Sequence, residues 1–287
     1  MINIGRSITM QRITPYILPA LVLVLFVVSY YPSLELLTQK WLASDDYTHA
    51  FFIVPVIVYI IWQKRESLAN NNGGSLIALF CVVLAVCFYL FTLQIQVPSF
   101  IFLATVLSII TGLIYLGGIG VLKELAIPIL LLFLIIPIPN QILSMLTATL
   151  QLRISEISEI LIRLFGVPMF REGNVLYIEK ITFQVVEACS GIRSLLSMTT
   201  LSILIGYFTL TKVSSSVLLL LFSIPVAILI NIIRVLVLVL AYYFFQFDLS
   251  VGVSHTLTGL VLFIFGLVLL FAFQRVLELW ERKKQYK

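Results

Sequence analysis

The sequence predicts an all-α polytopic membrane protein. The chain has 287 residues, of which 61% are apolar and only 11% are charged, whereas roughly a quarter of the residues in a soluble domain are charged. Its mean hydropathy is +1.13, and its apolar runs approach the ~20 residues that cross a bilayer as a helix. Too few charged residues remain to coat a soluble core of this size. These observations exclude a soluble globular protein.

Apolar windows predict about eight transmembrane helices. The first window, at residues 15–31, resembles the apolar part of a secretory signal. However, no small-residue cleavage site follows it, and further apolar windows do follow it, so it is interpreted as a membrane helix. No internal repeat of fixed period is visible, which gives no support to paired transporter halves. The predicted spans cover residues 15–31, 47–62, 76–93, 99–116, 125–143, 192–210, 213–237 and 255–273.

The basic residues predict the orientation of these spans. With a cytoplasmic N-terminus, 11 of the 18 lysines and arginines fall on the inner side, as the positive-inside rule requires. Both termini are therefore expected in the cytoplasm, in a plasma (inner) membrane. A net charge of +5 is too small to indicate nucleic acid. Three cysteines, two of them in one apolar run, do not indicate a disulfide framework.

An insertion at about residues 145–188 separates the fifth and sixth spans and is expected on the outer side. Its first part has the apolar spacing of an amphipathic helix at the interface. Residues 175–178 and 181–186 are then rich in β-branched and aromatic types, which predicts a small β-hairpin turning at Glu179-Lys180. The apolar stripe of the amphipathic helix comprises Leu146, Leu150, Ile154, Ile157, Leu161 and Leu164.

The stretch from residue 213 to 247 allows two interpretations. It is long for one span and contains Pro225, so it could form two helices with a turn near Asn231. Two helices would place His255 and the basic C-terminus outside, against the positive-inside rule. One span continuing as an outer or interfacial helix is therefore favoured.

Cys189 is the candidate nucleophile. The hairpin leads into Glu187-Ala-Cys-Ser-Gly-Ile-Arg193, and the sixth span follows at once. A cysteine at a helix N-terminus is favoured as a thiolate by the helix dipole, and Arg193 adds a positive charge one turn on. The alternative is a small buried hydrophobe, which is the expectation for Cys81 and Cys87.

Arg234 and His255 fall at the same predicted depth as Cys189. Ionisable residues at the ends of membrane spans are costly and usually functional. Together the three supply a nucleophile, a guanidinium able to stabilise an oxyanion and an imidazole able to protonate a leaving amine. His49 also lies at a span end, where Asp45 and Asp46 are expected to raise its pKa.

Two other functions remain open from these residues. A transporter or a protein binding lipid-linked sugars would use Arg193, Arg234 and His255 as an anion site between helices. An outer metal site could draw on His49, Glu187, Cys189 and His255, although no H-E-x-x-H pattern is present. For His49, a polar group hydrogen-bonded at a helix end is the favoured account. We expect no metal and no cofactor.

Five motifs give the chain a resemblance to the exosortases and archaeosortases, which are polytopic cysteine transpeptidases or proteases. The resemblance covers nearly the whole chain. The cysteine motif followed by Asn-x-x-Arg and a later histidine is the most specific part. The motifs are Tyr47-Thr-His-Ala50, Pro137-Ile-Pro139, Glu187-Ala-Cys-Ser-Gly191, Asn231-Ile-Ile-Arg234 and His255.

The resemblance implies that Cys189 is the nucleophile, Arg234 the catalytic arginine and His255 the catalytic histidine. His49, Glu187, Arg193 and Asn231 are expected to support the site or bind substrate, within one integral-membrane domain over residues 1–287.

The implied partners are membrane lipids, an acceptor nucleophile and exported proteins with a C-terminal sorting signal. That signal has a Pro-Glu-Pro-like motif, a membrane helix and a basic tail. Cleavage is expected on the outer face of the membrane, through a thioester that an amine or water resolves.

Overall fold

The computed structural model describes residues 21–69, 73–178, 181–184, 191–250 and 252–285. Two predicted site residues, Glu187 and Cys189, lie outside the described residues, and so does the predicted turn at residues 179–180. Most of the described chain is helical. Five of its helices are long and apolar enough to cross a membrane, or up to six if a bent pair counts as one span. The chain is a polytopic, predominantly α-helical membrane protein.

Twelve helices are numbered here in chain order over the described ranges, with one 3-10 turn at Asp45–Tyr47. They are α1 (Leu21–Ser29), α2 (Tyr31–Ala43), α3 (Ala50–Gln63), α4 (Arg65–Ala69), α5 (Leu76–Ile95), α6 (Pro98–Gly117), α7 (Val121–Glu124), α8 (Ala126–Leu134), α9 (Asn140–Leu164), α10 (Ile192–Thr209), α11 (Val213–Phe245) and α12 (Gly252–Gln285).

Three of the eight predicted spans differ from single helices of spanning length. The first window falls on α1 and α2, which meet at a 65° bend, where Pro32 fits the first turn of the new helix. The second corresponds to α3, which has 14 residues. The fifth corresponds to α8, which has nine residues. Pro137 and Pro139 follow α8 closely, and proline disfavours a helical conformation in the residue before it.

Contacts divide the chain into two compact units. The first comprises Met1–Ser44 and Val58–Pro137. Within it, the buried Ser33 and Thr105 hydroxyls hydrogen-bond at 2.7 Å, and the Trp41 indole donates to the Ile135 carbonyl at 2.9 Å. The Lys64 ammonium donates to the Glu124 carbonyl at 2.7 Å. These bonds satisfy polar groups between apolar helices, where an unmade bond is costly.

The second unit comprises Asp45–Ile57 and Ile138–Lys287, and it holds every described site candidate. Its helix α9 contains the predicted amphipathic segment. Ile154 is buried, whereas Leu146, Ile157 and Leu164 are exposed. Small serines occupy the buried face because they allow close approach of neighbouring elements. The residues of α9 that are buried are Thr147, Ile154, Ser155, Ser158 and Ile162.

Three antiparallel strands follow α9 in the order β1-β2-β3. The strands β2 (Val175–Ile178) and β3 (Ile181–Gln184) pair at the positions of the predicted hairpin. The strand β1 (Phe170–Glu172) was not predicted, and it pairs with β2 across the turn Gly173-Asn174. Gly173 adopts a φ of +61°, which suits glycine in a two-residue hairpin turn. The sheet therefore contains one strand more than the sequence indicated.

Helix α11 is continuous over 33 residues despite Pro225. The favoured prediction of one helix through Asn231 is confirmed, and the two-helix alternative is wrong. At 1.5 Å per residue the helix is about 50 Å long, which exceeds the ~30 Å of a hydrocarbon core. Its first half packs with α10 and α12 around Leu219, Val226 and Ile230. Its second half packs with α9 and β2 around Val235 and Val239.

Candidate active site

The N-terminus of α10 is fixed by Gly191, two residues after Cys189. Gly191 is buried and has a φ of +84°, a conformation that residues with a Cβ rarely adopt. A Cβ added there would lie 2.9 Å from Nδ2 and 3.1 Å from Cγ of Asn231. Glycine is thus required for the backbone conformation and for the close approach of α11.

Asn231 provides the α11 side of this contact. Its side chain is 1% exposed, and its Nδ2 donates to the Ala227 carbonyl at 2.7 Å. This bond to the preceding turn holds the amide against Gly191. The predicted supporting residue therefore packs directly on the segment that carries the cysteine motif into α10.

Arg234 lies one turn after Asn231 on α11, and it contacts His255 near the start of α12. The distance between Arg234 Nη2 and His255 Nε2 is 2.9 Å. Arginine has no acceptor atom, so Arg234 donates and Nε2 accepts. The imidazole is then neutral, with its proton on Nδ1. The structure brings these two predicted site residues together.

Gly259 of α12 lies directly against the Arg234 guanidinium. A Cβ at this position would lie 3.1 Å from Arg234 Nη2 and 3.3 Å from Cζ. Gly259 is four residues after His255, so both lie on one face of α12. The absence of a side chain here lets the guanidinium lie across α12 and reach the imidazole. Sequence reasoning missed Gly259, although its i+4 spacing from a candidate histidine was a usable signal.

A pocket of about 310 Å³ opens beside the Arg234–His255 contact. Its volume lies near the lower limit of ~300–1,000 Å³ for ligand sites. Two helix N-termini, those of α10 and α12, border it, and both carry partial positive charge. The pocket therefore favours a negatively charged group. Its lining residues are Gly191, Arg193, Ser194, Ser197, Arg234, His255, Thr256, Gly259, Leu260 and Phe263.

Arg193 lines the same pocket but also forms an ion pair. Its Nε lies 3.6 Å from Asp46 Oδ1, and its side chain is 48% exposed. The pairing with Asp46 was not predicted, because the two residues are far apart in sequence. It moderates the positive charge that Arg193 was expected to direct at Cys189. Arg234 is thus the better placed of the two arginines to act on a bound group.

His49 lies in the same short segment as Asp46, the residue that forms an ion pair with Arg193 of α10. The Tyr47 hydroxyl accepts a hydrogen bond from the Ile138 amide at 2.8 Å. Burial lowers the pKa of His49, and this outweighs the backbone and the carboxylate of Asp46, both of which raise it. The expectation of a raised pKa is therefore wrong, because desolvation disfavours the charged imidazole more than one partly exposed carboxylate favours it. His49 is not among the residues that line the pocket.

The described residues contain no group of three or more histidines, cysteines, aspartates and glutamates that could hold a metal ion. Two members of the metal site considered from sequence, Glu187 and Cys189, lie outside those residues.

A comparison with protein families finds a match to the family described as Transmembrane exosortase (Exosortase_EpsH), over residues 41–272. The matched region includes Asn231, the Arg234–His255 contact and the cysteine motif. The chain belongs to the transmembrane exosortase family, whose members are membrane proteins of sorting-signal processing. No curated protein and no solved structure gives a significant match.

Proposed function

We propose that this protein is a membrane-embedded cysteine peptidase or transpeptidase that cleaves C-terminal sorting signals of exported proteins through a thioester on Cys189. One observation carries the proposal. Arg234 and His255 are in contact at 2.9 Å and line an open pocket that begins at Gly191, two residues from Cys189. This supplies the base and the anion-stabilising group that a thiol nucleophile needs.

The first step is activation of the thiol. His255 is neutral when it accepts from Arg234, so it can take up the Cys189 proton once that bond is exchanged. Arg234 can then donate an N–H group to the negative charge that develops on the substrate. The N-terminus of α10 also favours the thiolate form of Cys189.

The second step is acyl transfer. Cys189 Sγ bonds to the carbonyl carbon of the scissile peptide, and Arg234 stabilises the oxyanion of the tetrahedral intermediate. The C–N bond breaks, and His255 gives its proton to the leaving amine. An acceptor amine or water then attacks the thioester, forming a new amide or a free acid and returning the proton to Cys189.

In our proposal this chemistry takes place on the outer, periplasmic side of the inner membrane, and both termini are cytoplasmic. The distribution of lysine and arginine supports this orientation. Arg234 lies about 32 Å along α11 from its first residue, near the far boundary of a bilayer that α11 enters at Val213. An anchored substrate would present its sorting motif at that depth.

The test is processing of a reporter that ends in Pro-Glu-Pro, an apolar membrane helix and a basic tail. Cys189→Ala should abolish both product and a hydroxylamine-sensitive covalent adduct, whereas Cys81→Ala and Cys87→Ala, the matched controls, should retain both. The rival anion-binding or transport function requires no thiol. Normal processing by Cys189→Ala would therefore reject the peptidase.

A further inference from the structure

The pocket continues from the Arg234–His255 contact as a groove along α12. On this helix it is lined by Thr256, Gly259, Leu260 and Phe263. Their i, i+3, i+4, i+7 spacing forms one stripe on the helix, about 10 Å long. Gly259 lies against the Arg234 guanidinium. Beyond it the stripe becomes apolar, because the next two lining residues are Leu260 and Phe263.

The opposite wall of the groove is polar. It is formed by the first two turns of α10, through Arg193, Ser194 and Ser197. Ser194 and Ser197 are three residues apart, so their hydroxyls follow the same face of the helix. The groove thus has hydrogen-bonding groups on one side and apolar side chains on the other.

Tight helix packing closes the groove one turn beyond Phe263. A Cβ at Gly266 would lie 2.0 Å from Ile230 Cδ1 and 2.7 Å from Met198 Cε. At this level α10, α11 and α12 meet without space between them. The groove therefore extends from Arg234 and His255 to Phe263, and the tight packing at Gly266 limits it beyond that residue.

We propose that the groove formed by Ser194, Ser197, Leu260 and Phe263 binds, in extended form, the first apolar residues that follow the scissile bond of the substrate. This inference rests on the proposed function and specifies its substrate subsite. Leu260 and Phe263 would contact the substrate side chains. The serine hydroxyls would hydrogen-bond its backbone.

The chemistry of the two walls favours an extended peptide over a helix or a lipid chain. A helix has already bonded its carbonyls internally, so it would not use the serines and would present no free scissile carbonyl. A lipid acyl chain has no hydrogen-bonding groups for them. An unwound backbone in apolar surroundings needs such partners, because an unmade hydrogen bond is costly there.

The first test uses purified full-length protein in liposomes with the reporter described above. The residues after its Pro-Glu-Pro motif are varied between leucine and tryptophan. Phe263→Ala enlarges the groove, so it should lower kcat/KM for the leucine reporter roughly 10-fold and shift preference towards tryptophan. Phe265→Ala is the matched control, because Phe265 is 45% exposed and does not line the pocket. Leu260→Ala is compared with Leu257→Ala in the same way.

The preference ratio between two reporters is measured within each variant. It is therefore independent of how much of the variant is folded, and partial misfolding of Phe263→Ala does not affect it. Unchanged ratios in Phe263→Ala and Leu260→Ala would overturn the proposal. So would a dependence of their activity on lipid chain length without any dependence on the substrate residue, which would assign the groove to lipid.

The second test addresses the polar wall. Ser197→Ala should raise KM several-fold with little change in kcat, and Ser197→Thr should restore KM because it keeps the hydroxyl. Equal KM values for all three proteins would reject the role of the hydroxyl. Failure of the proposed function has a different signature, namely no processing by the wild type or normal processing by Cys189→Ala.

Discussion

The two ends of the three-helix bundle α10–α12 use ionisable residues in opposite ways. At the open end, Arg234 and His255 contact each other and border a pocket. At the closed end, the Glu281 side chain is 3% exposed and accepts hydrogen bonds from neighbouring backbone and hydroxyl groups. Both ends contain costly groups for a membrane protein.

Glu281 has a complete set of internal partners. Its Oε2 accepts from the Thr211 amide at 3.0 Å and from the Thr211 hydroxyl at 2.7 Å. Its Oε1 accepts from the Lys212 amide at 3.1 Å. These amides precede α11, so the carboxylate from α12 caps the N-terminus of its neighbour, where negative charge is favourable.

An ionisable residue in a membrane bundle is therefore not functional merely because it is there. Glu281 directs both oxygens to the protein and joins α12 to α11. Arg234 donates to His255, and its guanidinium reaches a pocket. The position beside a pocket distinguishes this pair from the structural cap.

His255 is expected to be the acid–base group, and its loss should have the largest effect. His255→Ala should lower kcat by about 10²–10⁴-fold, because nothing else among the pocket-lining residues can transfer a proton to the leaving amine. The measurement is single-turnover cleavage of the reporter by purified protein.

His49→Ala is the histidine control. Burial lowers the pKa of His49, and His49 does not line the pocket, so this variant should retain a measurable fraction of activity. A greater loss in His49→Ala than in His255→Ala would move the acid–base group to the segment before α3.

Arg234→Lys should reduce kcat by about 10²–10³-fold, the cost of losing one oxyanion donor in a preorganised site. Lysine keeps the charge but lacks the planar arrangement of donors that can serve His255 and an oxyanion together. Reporter cleavage measures the effect.

Arg193→Lys is the matched control, because its ion pair with Asp46 requires only a cation and its side chain is half exposed. It should stay within a few-fold of wild type. Full activity of Arg234→Lys together with inactivity of Arg193→Lys would reverse the roles of the two arginines.

Much of this arrangement could be predicted from sequence because it depends on local pattern. Hydropathy indicated the membrane class, and the positive-inside rule favoured one helix through Asn231, on which the predicted depth of Arg234 rests. Motif order along the chain grouped Arg234 with His255. Each of these inferences uses residues that are neighbours in sequence or that the bilayer confines to one depth.

The features that were missed depend on distant packing. The Asp46–Arg193 ion pair joins residues 147 positions apart, and no local pattern encodes it. The burial of Ser155 and Ser158 in α9 was not predicted either, because polar residues add nothing to an apolar periodicity. The strand β1 is the exception, since Gly173-Asn174 is a recognisable two-residue turn.

Gly259→Ala should have an intermediate effect at the open end. The new methyl would lie 3.1 Å from Arg234 Nη2, so the guanidinium must shift by a few tenths of an ångström. Because a 1 Å misplacement costs about 10²-fold, this smaller shift should lower kcat roughly 10-fold. Gly252→Ala is not a suitable control, since Gly252 has a φ of +68°.

The control for Gly259→Ala is Gly112→Ala, where a Cβ meets nothing within 4 Å and the backbone φ is ordinary. It should leave kcat unchanged. Unchanged kcat in Gly259→Ala would show that the position of the Arg234 guanidinium is not limiting.

Glu281→Ala should have the smallest effect on turnover and a clear effect on stability. It leaves two amides and a hydroxyl without their buried acceptor, which should cost about 2 kcal/mol or more in the free energy of unfolding. Glu281→Gln should behave similarly, because its NH₂ group would face a backbone donor.

The control is Glu278→Gln, whose carboxylate pairs with Arg275 and Arg282 at the surface, where ion pairs contribute little. Thermal unfolding in mild detergent measures stability, and kcat per folded molecule should stay within about two-fold of wild type, as expected for a site remote from the pocket. A Glu281→Ala protein with wild-type stability but much reduced kcat would contradict the structural role of Glu281, because the closed end would then contribute to the chemistry and not to helix assembly.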